Sequence, residues 1–150
     1  MKINETTLPF LESDCVEQFG REKGITIFQR AETIYLELLN QADNHDNAAI
    51  QNHLQNKLFP TMAYYKALRA EGIHQDKALE YVRQETHKAA SIQKKEMSKL
   101  GNMPFAYALY RMGVKKQMKK NFPESGWKTE WIKCNSKEIH FNLHSCIYWE

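Results

Sequence analysis

A chain of 150 residues with 42% hydrophobic and 26% charged side chains is long enough to bury a core without disulfides or a structural metal, so one domain spanning 1–150 is expected. It holds no apolar run of bilayer length, and Met1 to Leu8 lacks the apolar stretch of a secretory signal, so a cytoplasmic protein with no membrane partner is expected. The net charge of +3 splits into −5 over residues 1–56 (4 basic, 9 acidic) and +8 over 57–150 (17 basic, 9 acidic), a polarity that draws anionic ligands or acidic partners toward the second half.

The first expected element is a short helix around Ser13 to Phe19, interrupted by Gly20 and Gly24. A stronger start follows at Thr26, where Gln29 three residues on suits a capping box. From there to about Ala42, Ile27, Phe28, Ala31, Ile34, Tyr35, Leu38 and Leu39 recur at spacings of three and four, the stripe of a core-facing helix. After the polar run around Asp46, Asn47 is placed to cap a helix carrying Ile50, Leu54 and Leu58. Phe59-Pro60 predicts a kink or boundary, and Gly72 a stop.

A long helix is predicted from about Gln75 to Lys99, with Asp76 and Glu80 near its start, Lys94, Lys95 and Lys99 near its end, and Gly101 closing it. Pro104 opens another, with Tyr107, Tyr110, Val114, Met118 and Phe122 on one face and Arg111, Lys115 and Lys119 on another. Its aromatics fall on the core-facing stripe and no nucleic-acid-binding motif accompanies it, so a solvated basic face is expected and nucleic acid is not a partner. Trp127 to Cys134, a turn at Asn135-Ser136, and Lys137 to Tyr148 alternate as a β-hairpin. The fold class is therefore α+β, four to five helices over about 12–122 followed by an antiparallel hairpin over about 127–148.

Three cysteines, Cys15, Cys134 and Cys146, form no CxxC pair, which suits a reducing compartment. No ligand pair has the short spacing of a structural zinc site, so no metal is assigned, and the sequence names no cofactor. A two-residue period along the last strand puts Ile139, Phe141, Leu143 and Ile147 on one face and His140, Asn142, His144 and Cys146 on the other. A thiol two residues from an imidazole allows the histidine to lower the thiol pKa and make a thiolate nucleophile. Cys146, His144 and His140 are the catalytic candidates, and Asn142 and the basic Arg111 the candidate contacts for an anionic small-molecule substrate. The plain alternative is the solvated side of a half-exposed strand.

The string Leu58-Phe59-Pro60-Thr61-Met62-Ala63-Tyr64-Tyr65-Lys66-Ala67-Leu68 is followed by Met103-Pro104-Phe105, Lys119-Lys120-Asn121-Phe122-Pro123, Gly126-Trp127 and Phe141-Asn142-Leu143-His144-Ser145-Cys146. In that order they resemble the L-2-amino-thiazoline-4-carboxylic acid hydrolase family, over about residues 20–150. The resemblance implies a hydrolase that opens the thiazoline ring at its C–S bond to give N-carbamoyl-L-cysteine. Cys146 matches the family's Arg-Cys element, with Ser145 in the arginine position. The family pattern continues into a cysteine followed by an Asp-Asp pair and then Cys-Asp-Phe, none of which occurs here, so a truncated form and a short member with part of its site lost both stay open. The competing class is a non-catalytic binding or interaction module that forms a homodimer through the hairpin edge.

Overall fold

The computed structural model describes residues 1–42 and 47–146, and within them the side chains of all but Glu96, Leu100 and Cys146. After a 3₁₀ turn at Ile3–Glu5 come α1 (Leu11–Phe19), α2 (Arg21–Gln41), α3 (Ala48–His53), α4 (Phe59–Ala70), α5 (Gln75–Gly101) and α6 (Ala106–Asn121). Two antiparallel strands, β1 (Trp127–Cys134) and β2 (Ile139–Cys146), complete the α+β order that the periodicity predicts. A π-helical turn, Leu54–Leu58, runs α3 into α4 without a break. No described helix is long and apolar enough to cross a membrane. The chain groups into two compact units, Met1–Asp46 with Gln51–Lys94, and Asn47–Ile50 with Lys95–Glu150.

In the first unit the core joins Leu11 and Cys15 of α1, Ile27, Phe28, Ala31 and Tyr35 of α2, and Ala63, Tyr64, Ala67 and Leu68 of α4. The predicted stripe of α2 is the face that is buried. Its start differs from expectation. The helix begins at Arg21, and Thr26 sits inside it with its hydroxyl donating to the Glu22 carbonyl at 3.0 Å rather than capping an end. Gly24 is no interruption either. Its missing side chain lets α1 approach closely, since a Cβ there would lie 2.4 Å from the Cys15 carbonyl oxygen.

Pro60 explains the π turn before it. With no N–H, Pro60 leaves the Asn56 carbonyl without its helical donor, and its ring crowds that carbonyl in a regular helix. The wider turn relieves the crowding, with the Phe59 N–H donating to the Leu54 carbonyl. The open acceptors are then filled from elsewhere in the unit. Thr7 donates its N–H (3.2 Å) and its hydroxyl (2.7 Å) to Asn56 O, and the buried Tyr35 hydroxyl donates to Gln55 O at 3.0 Å. Asn47 caps α3 as predicted, its Oδ1 accepting from the Ala49 and Ile50 amides at 3.0 and 3.4 Å.

In the second unit Pro104 does not open the helix. α6 starts at Ala106, after Phe105 in the left-handed region at φ 62°. The hairpin lays its apolar face on α6, as a two-stranded sheet must to be stable. Trp127, 1% exposed, meets the edge of Phe122 with ring centres 5.4 Å apart. Lys115 lies over the Trp131 ring, the Tyr107 hydroxyl donates to Asn135 O at 3.1 Å, and the Cys134 thiol reaches Arg111 O at 4.0 Å. Asn135 closes the turn, its Oδ1 accepting from the Lys137 and Glu138 amides.

Candidate functional site

The register of the hairpin determines which polar residues meet. Trp131 pairs with Phe141, Glu130 with Asn142 and Thr129 with Leu143, but Lys128 pairs with Ser145. His144 is therefore an extra residue, a β-bulge, and such bulges re-aim side chains. A second shift leaves Ile132 unpaired in β1, between the pairs Trp131 with Phe141 and Lys133 with His140. The unbroken two-residue period expected from His140 to Cys146 is thus interrupted at His144: Ser145 takes the register position opposite Lys128, and Cys146, expected on the face of Asn142 and His144, pairs instead with Trp127 of the opposite, apolar face.

On the exposed face His144 Nε2 lies 2.6 Å from Glu130 Oε2, and Asn142 Nδ2 donates to the same oxygen at 3.4 Å. The hydrogen bond from His144, then that from Asn142, holds the Glu130 carboxyl below its ordinary range. A carboxylate that fixes one ring nitrogen of a histidine orients the imidazole as a proton carrier. The side chains of His144 and Glu130 are 47% and 55% exposed, so the pair stands open to solvent.

Of the residues singled out from the sequence, Asn142 and His144 converge on Glu130, while His140 is exposed on β2 opposite Lys133. Arg111 is not brought to them. It sits on α6, beneath the opposite, apolar face of the sheet. Cys146 ends β2, and its side chain lies outside the described residues. Glu130 is the partner that the sequence reading overlooked. Counting back from the Cys134–Ile139 pair would place it opposite Leu143; the shift at Ile132 that brings it opposite Asn142 and the bulge that tips His144 toward it leave no mark in the sequence.

A second polar cluster is buried in the first unit. Asp14 on α1 forms an ion pair with Lys88 of α5, whose ammonium also lies 4.4 Å from the centre of the Phe10 ring. Glu85, one turn earlier on α5, is 2% exposed. Its Oε1 accepts from Gln18 at 3.5 Å and its Oε2 has no hydrogen-bond partner among the described residues. Burial, followed by the charge of Asp14, pushes the Glu85 carboxyl up to about 7. Burial likewise raises the Cys15 thiol to about 12 and the Tyr64 phenol above its usual range, so Cys15 is an inert thiol at neutral pH. Among the described residues, no three His, Cys, Asp or Glu side chains are grouped to hold a metal ion. No protein-family model, curated protein or solved structure matches the chain.

Proposed function

We propose that the chain is a cytoplasmic hydrolase that opens the thiazoline ring of L-2-amino-thiazoline-4-carboxylate, or a related small cyclic substrate, to N-carbamoyl-L-cysteine. The observation that carries this reading is the 2.6 Å contact between Glu130 and His144, on the strand that Cys146 ends. The string of motifs that resembles the thiazoline hydrolase family supports it.

In the proposed reaction His144 takes a proton from water, and the hydroxide adds to the ring carbon between nitrogen and sulfur. The ring C–S bond then breaks, and the departing sulfur takes the proton back from His144. The balance is one water consumed, one C–S bond broken and one free thiol released. Glu130 positions His144, and Asn142 offers its amide to the substrate.

The test is incubation of the purified chain with L-2-amino-thiazoline-4-carboxylate, following N-carbamoyl-L-cysteine by chromatography with Glu130→Gln alongside. Product from the parent chain and a loss of about tenfold or more in the variant are expected. Full turnover by Glu130→Gln would sink the role of the pair. The exposure of the Glu130–His144 pair favours a second reading, an interaction module without turnover, and a well-folded chain that makes no product would select it.

A further inference from the structure

In the second unit α6 carries two apolar stripes, and only one is used by the hairpin. The stripe through Val114, which is 2% exposed, faces β1 and β2. On the other side Leu109 and Met112 follow at i and i+3, with Phe105 just ahead of the helix, and the three are 58%, 79% and 83% exposed. Beside them a cleft of about 510 Å³ is lined by Met97, Met103, Ala106, Tyr107, Leu109 and Tyr110. Soluble proteins seldom leave so many large apolar side chains together in water unless something binds there. Phe105 adds a second sign. It is the one non-glycine residue at positive φ among the described residues, a conformation costing about 1 kcal/mol for an L-residue, and it holds its ring in solvent.

The charge around this surface selects the occupant. Between Glu96 and Glu124 the sequence has no acidic residue; Arg111 and Lys115 lie on the hairpin side of α6, and Lys116, Lys119 and Lys120 stand exposed, with Lys119 4.0 Å from Glu124. Lys116 and Lys119 continue the Leu109, Met112 face toward the C-terminal end of α6, and both are exposed. A second copy meeting this face with its own would set cations against cations, which electrostatic complementarity disfavours. We propose that this face of α6 and its cleft dock an acidic amphipathic α-helix of a partner protein. Its apolar anchors at i, i+3, i+4 and i+7 fill the cleft beside Leu109, its carboxylates meet Lys116 and Lys119, and the flexible side chains of Met97, Met103 and Met112 adapt to it. The sixteen residues of α6 offer a helix about 24 Å long, room for some four turns of partner.

The probe is a labelled synthetic peptide of about 18 residues, with leucines at those anchor positions, a few glutamates on the side that meets Lys116 and Lys119, and alanines elsewhere to favour the helix. A control peptide carries lysine for every glutamate. Anisotropy titrations of the whole chain should show saturable, salt-sensitive binding of the acidic peptide and none of the basic one. Leu109→Asp should weaken binding by about tenfold or more. Lys116→Glu with Lys119→Glu, both on the surface and remote from the core, should weaken it and flatten its salt dependence. Equal binding of the two peptides, absence of binding, full displacement by a mixed-sequence DNA duplex, or a dimer that occludes the cleft in sedimentation would each overturn the proposal.

Discussion

Gly24→Ala is expected to destabilise the protein by about 3 kcal/mol, at a position where an alanine would ordinarily strengthen a helix by up to about 1 kcal/mol. The reason is contact. An added Cβ would lie 2.4 Å from the Cys15 carbonyl oxygen, 2.6 Å from the Cys15 carbonyl carbon and 2.6 Å from Val16 Cα. All three are backbone atoms, so no side chain can swing aside. α1 must move off α2, and Leu11 and Cys15, both fully buried, lose part of their packing. Gly113 is the control. Nothing lies within 4 Å of a Cβ built there, so Gly113→Ala should leave stability unchanged or raise it by up to about 1 kcal/mol. Urea midpoints at unchanged slope measure both. A Gly24→Ala protein as stable as its parent would mean that α1 and α2 are not in close contact.

The second large effect is a stability that falls as pH rises toward neutrality. Glu85 has a folded value of about 7 against an ordinary carboxylate value of 4.5. The folded state therefore binds the proton more tightly than the unfolded chain, and stability is lost as pH climbs from about 4.5 to about 7. The loss is on the order of 3 kcal/mol if the whole difference is realised. Asp14 and Cys15 of α1, Tyr64 of α4, and Tyr81 and Lys88 of α5 surround the site. Lys88 opposes the shift and Asp14 reinforces it. Glu85→Gln keeps the shape without the charge. Its unfolding free energy should lack this descent, so that the variant matches or exceeds the parent above about pH 7. Parent and variant curves that run parallel across this range would contradict the assignment.

Much of the fold is written in the sequence because its signals are local. The spacing of Ile27, Phe28, Ala31 and Tyr35, the Asn47 cap, the stop before Gly72 and the charge gradient of α5 each depend on residues within a few turns. The misreadings share a different cause. Gly24 reads as a break because composition does not distinguish a glycine that loosens a helix from one that admits a neighbour. Thr26 followed by Gln29 resembles a cap until α2 is seen to begin at Arg21. Glu85 reads as one more carboxylate on a polar helix, and only the crossing of α1 buries it beside Asp14. The polar face of β2 was legible as a face through Asn142 and His144, whereas the bulge at His144 and the contact with Glu130 depend on strand register.

The most direct test of the proposed site compares two histidines on one strand. His144→Gln removes the imidazole that Glu130 orients, and His140→Gln removes one that pairs across from Lys133, away from that contact. Both are exposed, so either variant should fold like its parent. With L-2-amino-thiazoline-4-carboxylate as substrate, turnover should fall by about two orders of magnitude or more in His144→Gln and stay near the parent value in His140→Gln. Equal turnover by His144→Gln and the parent would contradict the account.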